Sequence, residues 1–159
     1  MAYQHFWICT LLVLALCASA CEQAVSEAPS NSDSRGKWET DCPSAQLCFD
    51  RPADLLPEPT QAIDSVAGIR RNQQLKLTYD FGRYPLHIDQ KNARQTTLTV
   101  DGRPAQVSTS TNRIVLKVPN VFEDALFNVH LTMLLEFEGN PPADLADRMF
   151  KSVHFKPGG

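Results

Sequence analysis

Cysteines supply the most distinctive chemistry in this sequence, because a thiol can pair with another thiol, bind a metal or carry a lipid. The chain contains five of them: Cys9, Cys17, Cys21, Cys42 and Cys48. Cys42 and Cys48 are near neighbours, and in an oxidising compartment a disulfide between them would close a short loop worth about 2 kcal/mol. A zinc site is the competing interpretation, but no histidine lies nearby to complete a ligand set. We predict a Cys42–Cys48 disulfide.

A second cluster with chemical potential occupies residues 79–85, Tyr-Asp-Phe-Gly-Arg-Tyr-Pro. Tyrosine and arginine are the side chains most often enriched at protein-binding hot spots. Gly82 predicts a formed turn, which would present Asp80, Arg83 and Tyr84 at the end of a strand as a binding surface. The alternative is a structural turn held together by a local Asp80–Arg83 ion pair.

The remaining polar residues form no recognisable catalytic set. His87 and Asp89 would lie on one side of an extended segment, as a ligand pair or an acid–base pair would, but such pairs are common by chance. The sequence has no Gly-x-Ser-x-Gly elbow and no phosphate-cradling glycine loop. We therefore predict no catalytic residues, no metal and no cofactor. A small site assembled from Asp80, Arg83, His87 and Asp89 remains the enzymatic alternative.

Composition places the chain among globular proteins and away from nucleic-acid binders. Hydrophobic residues make up 43% of the 159 residues, and the formal net charge is -3. A nucleic-acid binder needs a concentrated basic face to neutralise phosphates, which this balance does not supply. The one short basic cluster, Arg70-Arg71, is interpreted as a solvated pair.

The N-terminal segment has the pattern of an export signal. No charged residue occurs from Phe6 to Ala20, a run of about 15 residues, whereas a membrane-spanning helix needs roughly 20. The run ends in Ala18-Ser19-Ala20, with small residues at both positions that a signal peptidase recognises. We predict that residues 1–20 are a cleaved signal peptide.

The residues at this cleavage point resemble the lipobox of bacterial lipoprotein precursors, namely Leu16-Cys17-Ala18-Ser19-Ala20-Cys21. The resemblance implies that Cys21 becomes the first residue and carries a diacylglyceryl thioether and an N-acyl chain such as palmitate. It also implies a membrane anchor in the cell envelope, facing the periplasm. Glu22, in place of the Asp that favours inner-membrane retention in enterobacteria, favours the outer membrane. Plain secretion, with Cys21 either free or paired with another thiol, is the alternative.

A polar tether is predicted to follow the anchor. Residues 21–40 are rich in Ser, Glu, Asn and Asp, and Trp38 is their one large aromatic residue. Such a stretch buries too little apolar surface to offset its conformational entropy, and its typical reach is about 25 Å. We predict one globular domain at residues 41–159.

The chemistry-bearing residues lie among segments in which apolar and polar side chains alternate, the pattern of half-buried strands. Asp101-Gly102 between two β-prone runs predicts a tight hairpin. Three prolines between residues 49 and 59 disfavour ladder pairing and predict an extended surface segment. Strands are predicted at residues 65–71, 74–81, 96–100, 105–110, 113–118 and 127–137.

Residues 143–153 show helical spacing instead, with Leu145, Met149 and Phe150 on one stripe. Residues 153–155 predict a short closing strand. The sequence therefore predicts an α+β fold, an antiparallel meandering β-sheet covered on one face by a single C-terminal helix. The ending, a helix followed by Ser-Val-His-Phe, loosely resembles that of the small PsbP/Mog1-type α+β domains, a resemblance that implies no site residue.

Three functional hypotheses follow from these features. The first is a membrane-tethered lipoprotein of the cell envelope that acts as a non-enzymatic binding or accessory domain with an envelope protein as partner. The second is a small envelope enzyme or ligand-binding domain with its site near residues 80–89. The third is an inhibitor or immunity-type lipoprotein directed at a toxin or hydrolase, which differs from the first only in its partner.

Overall fold

The computed structural model describes residues 36–123 and 127–157. The predicted signal peptide at residues 1–20, the lipid attachment site at Cys21 and most of the predicted tether lie outside these residues, so they stay predictions. Within the described part, no helix is both long and apolar enough to cross a bilayer.

The described residues form ten strands and one helix. In chain order they are β1 (Trp38–Ser44), β2 (Leu47–Pro52), β3 (Leu56–Glu58), β4 (Ser65–Arg71), β5 (Leu75–Gly82), β6 (Arg94–Val100), β7 (Arg103–Thr109), β8 (Arg113–Glu123), β9 (Asn128–Phe137), α1 (Ala143–Lys151) and β10 (His154–Phe155). A large sheet has the order β3-β4-β5-β9-β8-β7-β6, and a small sheet has the order β1-β2-β10. Every pairing is antiparallel, which confirms the predicted combination of an antiparallel sheet and one late helix.

The central strands of the large sheet bury one face because their apolar residues alternate in register. Leu77 in β5 pairs with Leu135 in β9, and Tyr79 pairs with Met133, so the apolar rows of both strands meet on the same side. All four side chains are buried. We call this side the inner face and the opposite side the outer face.

The large sheet is not the simple meander that the sequence predicted. Strands β6 to β9 follow one another as neighbours, but β5 pairs with β9, at the opposite end of that run from β6. The chain between β5 and β6, residues 83–93, therefore has to pass across three strands. It passes on the outer face, where Gln90 accepts a hydrogen bond from the buried Ser108 hydroxyl of β7 at 2.9 Å. We call residues 83–93 the crossover segment.

The sequence predicted the closing strand of the small sheet, which is β10, but missed its other two strands. β1 begins at Trp38, inside the range predicted as a tether, and β2 includes part of the stretch predicted as a surface segment. Phe49 of β2 is fully buried, and its ring lies 5.4 Å from that of Tyr79 in the large sheet. The proline rule did not exclude this strand because Pro52 stands at its last position, where pairing ends.

Aromatic side chains of the small sheet cover part of the inner face. Phe155 of β10 stacks on Phe81 of β5 with 6.1 Å between ring centroids. The small sheet therefore contributes one aromatic ring from before the large sheet in sequence, Phe49, and one from after it, Phe155. β10 pairs with β2, which joins residues near the end of the chain to the first hairpin. Met149 and Phe150 of α1 belong to the same buried cluster.

A shared carboxylate joins the two sheets. Asp41 Oδ2 accepts hydrogen bonds from Arg51 Nε at 3.0 Å and from Arg70 Nε at 2.9 Å, so it links β1, β2 and β4. Arg51 also donates to the backbone carbonyls of Pro52 and Leu55, at 3.1 and 2.8 Å. The prediction that Arg70 and Arg71 are both solvated is therefore wrong for Arg70. Arg70 lies on the buried side of its strand and needs a counterion there.

The predicted Asp-Gly hairpin forms and also holds the last strand. Asp101 and Gly102 both have positive φ, 48° and 76°, as a type I′ turn requires. The Asp101 carboxylate accepts a hydrogen bond from the Phe155 backbone N–H at 3.0 Å and contacts His154 Nδ1 at 3.1 Å. The Phe155 hydrogen bond is the largest cause that lowers the pKa of Asp101, followed by the His154 and Arg103 contacts.

The shared carboxylate yields a stability prediction. Asp41→Asn leaves the guanidiniums of Arg51 and Arg70 in a largely dry site with half of their counterions, since Glu39 still pairs with Arg51. We expect the free energy of unfolding to fall by about 2 kcal/mol, less than the loss of a fully buried pair. Urea denaturation followed by circular dichroism measures this change.

The matched control removes an exposed ion pair on the same large sheet. Glu58 and Arg71 are 3.9 Å apart, and their side chains are 39 and 53% exposed, so Glu58→Gln should change the free energy of unfolding by less than about 0.5 kcal/mol. Equal, small effects of the two variants would show that Asp41 does not hold the sheets together.

The hairpin carboxylate yields a pH prediction. Because its folded pKa is lowered, Asp101 stabilises the fold above its unfolded pKa of about 3.9, and the contribution is lost as pH falls through the lower folded pKa. Asp101→Asn keeps the positive φ, and we expect it to cost about 1 kcal/mol near neutral pH. Below the lowered folded pKa of Asp101, the variant and the parent should unfold at the same urea concentration. A constant difference at all pH values would contradict this assignment.

Candidate functional site

Exposed apolar side chains concentrate at one end of the large sheet. Four large hydrophobic side chains are exposed in the described residues, and three of them are Ile63, Tyr84 and Phe127, with exposures of 97, 75 and 41%. The fourth, Leu56, belongs to β3. We call Ile63, Arg83, Tyr84 and Phe127 the end patch.

Strand pairing brings these residues to the same end. Ser65, the first residue of β4, pairs with Gly82, the last of β5, and Gly82 pairs with His130 near the start of β9. Residues just before β4, just after β5 and just before β9 therefore lie at the same end of the large sheet. Gly82 permits this close pairing, because a Cβ atom at that position would lie 2.4 Å from the Ser65 Cβ.

An arginine–aromatic stack orders the end patch. The guanidinium carbon of Arg83 lies 3.1 Å from the ring centroid of Phe127, so the cation covers one face of the ring. The strand predicted at residues 127–137 started at Phe127. In the structure β9 begins one residue later, at Asn128, and the Phe127 side chain remains exposed outside the core.

Of the three predicted surface residues, the structure brings Arg83 and Tyr84 into the end patch and leaves Asp80 apart. Asp80 is half-buried on the outer face of β5 and pairs in register with Thr132. Burial raises the pKa of Asp80, and a hydrogen bond from Ser65 partly opposes that rise. Within the described residues no ion pair joins Asp80 to Arg83, so the predicted Asp–Arg turn is not formed.

The second predicted pair, His87 and Asp89, does not form a joint site. Both residues lie in the crossover segment and both are exposed. They alternate with Leu86, Ile88 and Gln90, which are half-buried. Asp89 accepts a hydrogen bond from the Lys91 backbone N–H at 3.0 Å, which is a local turn contact. Across residues 36–123 and 127–157, no three His, Cys, Asp or Glu residues are placed to hold a metal ion.

A pocket opens where the crossover segment lies against the outer face. It has a volume of about 270 Å³. We call it the outer pocket, and it is lined by five residues with polar side chains and by Pro85, Leu86, Val118, Pro119 and Leu131. The five polar residues are His87, Gln106, Lys117, His130 and Thr132. No single segment of the sequence contains this set, which explains why sequence patterns did not reveal it.

The predicted disulfide is present. Cys42 Sγ and Cys48 Sγ are bonded at 2.10 Å, and the bond joins β1 to β2 within the first hairpin. Cys48 is buried. The bond closes the hairpin that supplies Phe49 and Asp41 to the interface between the sheets.

No protein-family model, curated protein or solved structure matches this chain. The lipobox-like and PsbP/Mog1-like resemblances therefore remain sequence predictions. The residues and geometry of the chain itself are the basis for proposing a function.

Proposed function

We propose that this chain is a membrane-tethered lipoprotein of the cell envelope and acts as a non-enzymatic binding or accessory domain. We further propose that it contacts an envelope protein partner through the end patch. The observation that carries the proposal is the exposure of Tyr84 and Phe127 beside a stacked Arg83.

The end patch has the composition of a protein-binding hot spot. Tyrosine and arginine are among the residues that contribute most to binding when they are desolvated, and a contiguous exposed apolar patch typically marks an interaction site. The stack of Arg83 on Phe127 restricts the long arginine side chain before any partner arrives. Less side-chain entropy is then lost on binding.

The proposed location rests on the N-terminal sequence and is supported by the disulfide. Disulfides persist in oxidising compartments such as the periplasm and are rare in the cytosol. The Cys42–Cys48 bond is what an exported domain would contain. The lipobox-like residues around Cys21 are the basis for proposing a membrane anchor. Glu22 favours the outer membrane over the inner one.

We also infer that α1 completes the cover of the large sheet beside the small sheet. Ala146, Met149 and Phe150 are buried, and a pocket between α1 and the sheet is lined by Ala146, Phe150, Leu98 and Val107.

The third hypothesis, an inhibitor or immunity-type lipoprotein, uses the same surface with a toxin or hydrolase as the partner. The second hypothesis, an envelope enzyme near residues 80–89, loses its proposed site. Asp80 and Arg83 are not paired, and His87 and Asp89 line different pockets. A ligand-binding site in that region retains one supporting observation, the outer pocket.

Lipidation can be tested on protein from the native host. We expect its N-terminal peptide to begin at Cys21 and to carry a diacylglyceryl thioether and an N-acyl chain, as mass spectrometry would show. Cys21→Ser should abolish the modification, and Cys17→Ser should leave it unchanged. An unmodified Cys21 thiol would exclude the anchor, and an intact Met1 terminus would also exclude export.

The role of the end patch can be tested by site-specific photo-cross-linking in the envelope. A cross-linking amino acid at position 84 should trap one protein partner, and the same group at position 56 should not. Leu56 is also exposed, but it pairs with Arg71, at the opposite end of β4 from the end patch. Tyr84→Ala should weaken binding of that partner about 30-fold, a loss of about 2 kcal/mol.

The matched control for binding is Leu56→Ala, which removes another exposed apolar side chain. We expect unchanged affinity for the trapped partner. Equal cross-linking at positions 56 and 84, or equal affinity of the two alanine variants, would reject the end patch as the contact surface.

A further inference from the structure

A row of polar side chains crosses the outer face beneath the crossover segment. Asp80 in β5 pairs with Thr132 in β9, Thr132 pairs with Lys117 in β8, and Lys117 pairs with Gln106 in β7. Directly paired residues on one face have Cβ atoms about 5 Å apart. Thr132, Lys117 and Gln106 therefore present their side chains together, and all three line the outer pocket.

These side chains offer hydrogen-bond donors that the protein does not use. Thr132 is 0% exposed, yet its Oγ1 has no hydrogen-bond partner, and the buried Oδ1 of Asp80 beside it in the row has none either. Burying an unpaired hydroxyl costs stability, and buried polar groups almost always find a partner. Lys117 and Gln106 also make no side-chain hydrogen bond or ion pair within residues 36–123 and 127–157.

His130 adds a further donor. Its Nδ1 accepts a hydrogen bond from the Asn120 backbone N–H at 3.5 Å. In a neutral imidazole the proton then resides on Nε2, which becomes the donor. His130 lines the outer pocket together with His87.

The charge of the lining selects the class of ligand. Lys117 contributes a positive charge, and no carboxylate lines the outer pocket. Asp80, the nearest acid in the row, stands on the far side of Thr132 from Lys117, and burial raises the pKa of its carboxyl. An acceptor-rich, negatively charged group is the complement of such a lining.

We propose that the outer pocket binds a small organic carboxylate. The carboxylate accepts hydrogen bonds from Lys117 and Thr132, and the apolar part of the molecule lies against Pro85, Leu86 and Pro119. A volume of about 270 Å³ accommodates a short-chain acid. The inference is independent of the proposed partner binding, because no residue of the end patch lines this pocket.

The test uses four probes with the full chain, isotope-labelled and kept in detergent. Butyrate should give saturable shifts of the backbone amides of Lys117, His130 and Thr132 in nuclear magnetic resonance spectra. Butanol should bind at least about ten-fold more weakly, since it lacks the charge, and inorganic phosphate should also bind more weakly because it has no apolar part. Equal or tighter binding of butylamine, of butanol or of phosphate, or no saturable butyrate shift, would overturn the proposal.

Lys117→Met tests the charge while it keeps the unbranched apolar stem. We expect the butyrate affinity to fall about ten-fold or more. Lys156→Met removes an exposed lysine just after β10 and serves as the matched control, with unchanged affinity expected. Equal affinities of the two variants would reject the assigned role of Lys117.

Thr132→Val distinguishes a binding role from a structural one. Valine has nearly the same shape and removes a hydroxyl that no protein group satisfies, so the thermal midpoint should stay equal or rise. The butyrate affinity should fall about five-fold or more. A lowered midpoint with unchanged butyrate affinity would show that the hydroxyl serves the fold, and the proposal would fail.

Discussion

The large sheet has an apolar inner face that must be kept from water, and the rest of the fold depends on that requirement. The cover comes from both ends of the folded chain, since β1 and β2 precede the large sheet and β10 follows it. The pairing of Cys48 with His154 closes the two ends onto each other. Because these contacts are distant in sequence, they need local reinforcement. The Cys42–Cys48 disulfide reinforces the first hairpin, and the carboxylate of Asp41 links that hairpin to Arg70 of the large sheet.

The outer face has a different constraint, which is topological. Since β5 pairs with β9 and not with β6, the crossover segment must travel across the sheet, and alternation turns Leu86, Ile88 and Gln90 towards it. The segment begins at the end patch and then forms one side of the outer pocket. Both proposed binding features therefore take some of their residues from one connection. A surface loop on a rigid sheet is a common place for binding residues, because its sequence can vary without disturbing the core.

The predictions that succeeded were those with a local physical cause. Alternation located β4, β5 and β9 to within a residue or two, the Asp-Gly pair located a hairpin, and cysteine spacing located the disulfide. Those that failed needed a partner distant in the chain. Phe49 was placed in a surface segment because nearby prolines outweighed its apolar neighbours, and Arg70 was placed in solvent because Asp41 lies far away in sequence. In the candidate site, Arg83 and Tyr84 were found by residue type, but Phe127 and Thr132 were not, since only strand pairing brings them there.

The sequence by itself determined which residues alternate, where the chain turns and which thiols are close enough to bond, because these properties depend on neighbours a few positions apart. It also predicts an export signal, because that prediction rests on a local pattern of length and charge. Only the tertiary structure decided which strands are neighbours, which face is buried and which donors are left without acceptors. Register places Asp80, Thr132, Lys117 and Gln106 in one row although they come from four strands. Such a juxtaposition has no signature in a single chain, because the free energy that selects it belongs to the packed sheet as a whole.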